Sequence, residues 1–165
     1  MPRMKAILVE QFGGPEVLRY ADVERPEPGA GEALIEVRSS GVNYADTMRR
    51  RNRYVLRTEL PFVPGSEVAG VVAEVGEGAE GVSPGDRVVA LVGTGGYAEY
   101  ALAPARNLIP LPEGLDFDRA AAIPVAGLTA YHVLKTSGAL QPGESVLVHA
   151  AAGGVGTLAV QMAKL

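Results

Sequence analysis

Short apolar runs, separated by glycine- and proline-rich breaks roughly every 10 to 15 residues, fill positions 4–115 of the chain. Met4–Val9, Val17–Val23, Ala33–Val37, Val68–Val75, Arg87–Val92 and Tyr97–Leu102 read as strands. Ala33–Val37 alternates apolar and polar positions, with Leu34 and Ile35 facing opposite sides. The intervening breaks, Gly13-Gly14-Pro15, Pro26-Glu27-Pro28-Gly29, Pro84-Gly85-Asp86 and Gly95-Gly96, carry turn chemistry. Two helical patches interrupt the strands. Asn43–Arg51 is short and has Asn43 as its N-cap; Asp116–Ala122 is alanine-rich and has Asp116 in that place.

The texture changes near Phe117. Pro124 suits a first helical turn, and Val125, Leu128 and His132 follow at helical spacing. Gly138 stops that helix. Gln141–Glu144 is a turn, Val146–Val148 a strand, and Val155–Leu165 a helix that opens straight after a glycine-rich turn. The expected boundary lies near residues 115–124. It leaves a mostly β domain over 1–120, then a connecting helix and the start of an α/β domain over 121–165. A central parallel strand is buried on both faces, and these 165 residues supply no such cover, so Val146–Val148 is expected to be covered by another chain, to be poorly ordered, or to belong to a longer protein.

Composition alters this picture only at the margins. Glycine (21) and proline (12) form a fifth of the 165 residues, which suits a turn-rich β domain. The net charge of −4 gives the chain no general bias toward nucleic acid or anionic membrane. No window approaches the ~20 apolar residues of a membrane-spanning helix. The run Ala6–Val9 is too short for a secretory signal. With no cysteine, disulfides and thiolate metal sites are ruled out, and the expected setting is the cytoplasm.

The chemistry concentrates at Ala151-Ala152-Gly153-Gly154-Val155-Gly156. Strand, glycine turn and helix in that order form a dinucleotide-binding fingerprint, here with alanine in the first position. Gly153 lets the backbone approach a pyrophosphate, Gly156 lets helix and strand close up, and the helix N-terminus offers free N–H groups. A tight turn with small residues for packing is the plainer reading. The residue that selects NAD or NADP is expected ~20 positions further on, beyond Leu165.

Several segments together carry a family resemblance. They are Gly41-Val42-Asn43-Tyr44-Ala45-Asp46, Val63-Pro64-Gly65-Ser66-Glu67-Val68-Ala69-Gly70, Gly127-Leu128-Thr129-Ala130-Tyr131 and His149–Gly156. The chain resembles the N-terminal half of the quinone oxidoreductase (zeta-crystallin-like) branch of the medium-chain dehydrogenase/reductase superfamily. The resemblance implies a mostly β GroES-like domain followed by the first strand and helix of an α/β Rossmann domain. It implies hydride transfer from NADPH, or NADH, to a quinone, in the cytoplasm and in a homodimer. An enone or enal is the alternative substrate, and a non-catalytic binding module or split subunit the alternative to an enzyme. The 165 residues by themselves are expected to bind cofactor poorly and to be inactive.

The superfamily's zinc enzymes carry Gly-His-Glu where this chain has Gly65-Ser66-Glu67. With that histidine replaced and no cysteine, the resemblance implies a zinc-free site. A quinone suits such a site, because hydride addition gives an aromatic product without a Lewis acid. By themselves, Asn43 reads as a helix cap, Tyr54 as core packing and Thr129 as a helix threonine. The resemblance places Asn43, Asp46 and Tyr54 at the quinone and nicotinamide, and Thr129 at the nicotinamide carboxamide. His132 and His149 read as packed or hydrogen-bonded residues. The basic run Arg49, Arg50, Arg51, Arg53 and Arg57 reads as a solvated face, with a cofactor phosphate or an acidic partner as the alternative.

Overall fold

The computed structural model describes residues 2–164. Two compact units divide between Ala121 and Ala122. In the first, β1 (Arg3–Leu8) and β2 (Arg19–Glu24) form an antiparallel hairpin. A five-stranded antiparallel sheet follows in the order β6-β3-β4-β5-β7. It comprises β3 (Glu32–Ser40), β4 (Glu67–Val75), β5 (Arg87–Leu91), β6 (Tyr100–Pro104) and β7 (Leu108–Pro110). Two helices belong to this unit, α1 (Tyr44–Arg50) and α2 (Phe117–Ala121).

Both faces of the sheet are covered. Ile35, Val68, Val72, Val88, Ala101 and Ala103 share one core. Ala69 and Val89 pack on the other side against Ala120 and Ala121 of α2. Asp116 caps α2 by accepting the Arg119 N–H at 2.8 Å, and the Ser39 hydroxyl ties β3 to Asp118. Ala33, Leu34 and Ile35 are all fully buried, so the simple in-and-out alternation expected for β3 does not hold. Packing layers on both sides of the sheet bury both of its faces, and its pairing with β4 shifts register at Leu34/Ile35 and Val37/Ser39.

The ends of other elements differ modestly from expectation. Val17 closes a short 3-10 turn (Pro15–Val17), so β2 starts only at Arg19. Residues 97–99 run beside β1 rather than within β6: the Ile7 N–H donates to the Tyr97 carbonyl at 2.8 Å, and the Glu99 N–H to the Lys5 carbonyl at 3.0 Å. The short β7 has too few residues to show alternation in the sequence.

In the second unit α3 (Pro124–Tyr131) continues as π-helical turns over His132–Ser137, closed by the Gly138 N–H on the Val133 carbonyl at 2.8 Å. α4 (Gly154–Met162) follows the glycine turn. Ala130, Leu134 and Ala159 form this unit's small core. The expected strand at Val146–Val148 is absent. A strand exists only through its ladder, and none of the described residues pairs with this segment, so it carries no regular structure and Leu147 is exposed. His132 and His149 are exposed rather than packed. Among the described residues, no helix is long and apolar enough to cross a membrane.

Candidate functional site

The first candidate site forms where α1 starts. Asn43 is the extended residue before the helix, and the Asp46 carboxylate reaches back to its N–H at 2.9 Å. Asn43 thus occupies the N-cap position expected from sequence, and it is one part of a larger network. Asn43 Nδ2 donates to Glu67 Oε1 at 2.7 Å. Asp46 Oδ2 also accepts the Tyr97 hydroxyl at 2.8 Å, and Oδ1 accepts the Ser66 hydroxyl at 3.2 Å. Asp46 and Glu67 are buried, at 5% and 2% exposure. Three donors on Asp46 offset the cost of burying its charge.

Local backbone geometry assembles this cluster. Gly65 has φ +94, and a Cβ there would lie 2.5 Å from Tyr97 Cδ1 and 2.7 Å from Tyr97 N. Only glycine permits so close a crossing. The Tyr97 N–H donates to the Pro64 carbonyl at 2.9 Å, and the Gly96 N–H to the Gly65 carbonyl at 3.1 Å. The crossing points the Tyr97 hydroxyl at Asp46. Burial first, and then the hydrogen bond to the Asp46 carboxylate, raise the Tyr97 phenol pKa well above its ordinary value.

Asn43 and Asp46 are thus brought together, and Tyr54 stands apart from their network. Tyr54 lies beneath the Arg49 guanidinium, 4.7 Å from ring centre to cation, while Arg49 Nη1 donates to the Gly93 carbonyl at 2.7 Å. Asn43 is half-buried. One of its two amide hydrogens goes to Glu67, and among the described residues the other has no acceptor.

The second candidate site lies wholly in the second unit. Ala150 adopts φ +54, and its carbonyl accepts the Gly153 N–H at 2.9 Å. A Cβ on Gly156 would fall 2.3 Å from the Ala150 oxygen and 2.7 Å from Ala151 Cα. Gly156 is buried against the turn, and Ala151, Ala152, Gly153, Gly154 and Val155 are exposed. The first N–H groups of α4 have no carbonyl within their own helix to bond. This cradle fits the diphosphate of a dinucleotide: its outer side is backbone and small residues, and its inner side tolerates no side chain. Thr129 is exposed on α3, its hydroxyl donating to the Val125 carbonyl at 2.6 Å.

Residues 29–113 match the alcohol dehydrogenase GroES-like domain family, which covers more than half of the chain. The chain belongs to that family. Its GroES-like domain therefore contains Asn43, Asp46, Glu67 and Tyr97 together. Over 163 residues the chain is 47% identical to the human quinone oxidoreductase, covering 98% of this chain and 50% of that protein. The quinone oxidoreductase from Thermus thermophilus, solved alone and with NADPH, superposes with a TM-score of 0.86 at 44% identity, covering 98% of this chain and 50% of that one. The human synaptic vesicle membrane protein VAT-1 homolog-like protein gives a TM-score of 0.94 at 37% identity, with 98% and 52% covered. The chain spans about half the length of the curated relatives it matches.

Sequence reasoning found Asn43 and Asp46 but not their partners. Ser66 and Glu67 drew notice only for the histidine that Ser66 replaces, and Tyr97 only as the start of a strand. The available signal was the Pro64-Gly65 pair, a turn mark two residues before an acid at the head of an apolar strand.

Proposed function

We propose that this chain is the N-terminal half of an NADPH-dependent quinone reductase that works without zinc. On this reading, residues 122–164 open a dinucleotide-binding domain, and the GroES-like domain supplies the substrate side. When bound, NADPH supplies a hydride; the quinone takes it together with one proton and leaves as hydroquinone. The remaining Asn43 amide hydrogen bonds the quinone oxygen on which negative charge develops, and a donor held ready for that charge lowers the barrier. Asp46 and Glu67 are positioning residues: one holds the start of α1, the other holds the Asn43 amide. The zinc-free reading is supported by the donor set, since Ser66 stands in the histidine position, its hydroxyl is committed to Asp46, and the sequence has no cysteine. At the glycine turn, Ala151, Ala152, Gly153, Gly154, Val155 and Gly156 would hold the cofactor diphosphate through backbone N–H groups. Thr129 would hold the nicotinamide carboxamide.

The observation that carries this reading is the half-buried Asn43 amide, fixed by a buried carboxylate and, among the described residues, still holding one unused hydrogen. The test is NADPH oxidation by the full-length protein carrying this sequence, with a panel of quinones and enones. Asn43→Ala should lower kcat/KM for quinones by about 10- to 100-fold, a loss of about 1.4–2.7 kcal/mol, and leave NADPH affinity unchanged. Quinone turnover that survives Asn43→Ala would sink the assignment. Turnover of enones but not quinones would move the activity to the double-bond reductases.

A further inference from the structure

The basic run at 49–57 does not behave as one surface. Arg49 is engaged with Tyr54 and the Gly93 carbonyl, and Arg50 is buried. Arg51, Arg53 and Arg57 are exposed, and among the described residues none of them forms an ion pair or hydrogen bond through its side chain. They line two cavities that share Phe12 as a wall. One, of about 350 Å³, is bounded by Phe12, Gly13, Gly14, Arg51 and Arg53. The other, of about 430 Å³, is bounded by Phe12, Asn52, Arg57, Thr58, Glu59 and Leu60.

Two unpaired guanidinium groups lining one cavity, as Arg51 and Arg53 do, repel one another, and Arg57 adds a third positive charge across Phe12. Such an arrangement is relieved by an anion, and guanidinium groups match phosphate oxygens in both charge and planar donor geometry. Two carboxylates also belong to this region. Glu59 lines the second cavity, and Glu16 lies near Arg50 and Arg51, which add to the lowering of its pKa behind its backbone hydrogen bonds. The Gly14 N–H donates to Glu16 Oε1 at 2.7 Å, so the glycine turn already holds one carboxylate. The balance stays positive, in a chain whose net charge is −4.

We propose that the groove across Phe12 binds an organic phosphate, with Arg51 and Arg53 on the phosphate, Arg57 at the far end, and an apolar planar group against Phe12. This site lies within the first unit and does not depend on the reductase reading.

The test is isothermal titration of the full-length protein at low ionic strength with inorganic phosphate and with 1-naphthyl phosphate, neither of which carries a nicotinamide. Saturable binding is expected, severalfold tighter for 1-naphthyl phosphate and weakened by added salt. Arg51→Gln and Arg53→Gln should each weaken it about tenfold, and Arg106→Gln, an exposed arginine outside the groove, should leave it unchanged. Binding that is not saturable, or that falls equally in Arg106→Gln, overturns the proposal. So does binding to phosphatidylserine vesicles without binding to either soluble phosphate, since that assigns the run to a membrane surface. Circular dichroism of each variant separates a lost site from a lost fold.

Discussion

Asp46 is the residue on which the first unit's polar interior converges, and Tyr97 is its most informative partner. An unfolded tyrosine ionises near about pH 10. In the fold, burial and the Asp46 carboxylate both oppose a phenolate, so the pKa is raised. Below about pH 10 folded and unfolded chains both keep the proton, and the contribution of this group to stability is complete. Above it the unfolded chain releases the proton first, so stability falls as pH rises toward the folded pKa. Thermal unfolding from pH 8 to pH 11 should therefore show a steeper alkaline decline for the native sequence than for Tyr97→Phe. Near neutrality Tyr97→Phe should cost about 1–2 kcal/mol through the lost hydrogen bond to a charged acceptor. Parallel alkaline declines would mean that Tyr97 is not held as described. Gly156 makes a second residue-scale case. Its missing Cβ is replaced by backbone at 2.3 and 2.7 Å, which has little freedom to move aside. Gly156→Ala should destabilise the chain by about 1–3 kcal/mol, and in the full-length protein it should weaken NADPH binding. Unchanged melting and unchanged cofactor titration would show that the turn yields.

At the scale of elements, local chemistry decides where helices begin. Asp116 precedes α2 and accepts the Arg119 N–H, so replacing it leaves an orphan donor at a five-residue helix. Asp116→Ala should cost about 1 kcal/mol in urea unfolding, and Asp116→Asn much less, because asparagine caps as well. Equal losses for the two would point to the Asp116 charge rather than its cap. Both helix caps, Asn43 and Asp116, were legible in the sequence because a cap is a contact over three residues. The strands were legible as apolar runs between turns. Their two-sided burial was not, because it needs distant segments: α2 over one face of the sheet, and side chains from β3 to β7 gathered into one core on the other. The same reason hid the Asp46 cluster. Asp46 and Asn43 are neighbours in sequence, whereas Ser66, Glu67 and Tyr97 arrive only through the Gly65 crossing.

At the scale of the whole molecule, the same apolar sequence has different fates in the two units. Val68–Val72 and Val146–Val148 are both valine-rich and both read as strands. In β4 every residue of Glu67–Val71 has a partner in β5, and the opposite edge pairs with β3. Val146, Leu147 and Val148 have no backbone hydrogen bond among the described residues, and Val146 and Leu147 are 43% and 81% exposed. Sequence pattern records the tendency to be extended and buried, but only neighbouring strands convert it into a ladder. Protection from amide exchange follows the ladder and not the tendency. In the 165-residue chain, the amides of Val146–Val148 should exchange with deuterium at least a hundredfold faster than those of Val68 and Val72, a gap of about 2.7 kcal/mol in opening free energy. If the chain is half of a longer protein, as proposed, strands there that pair with this segment would close the gap. Equal protection of the two segments in the 165-residue chain would show that Val146–Val148 finds a partner without them.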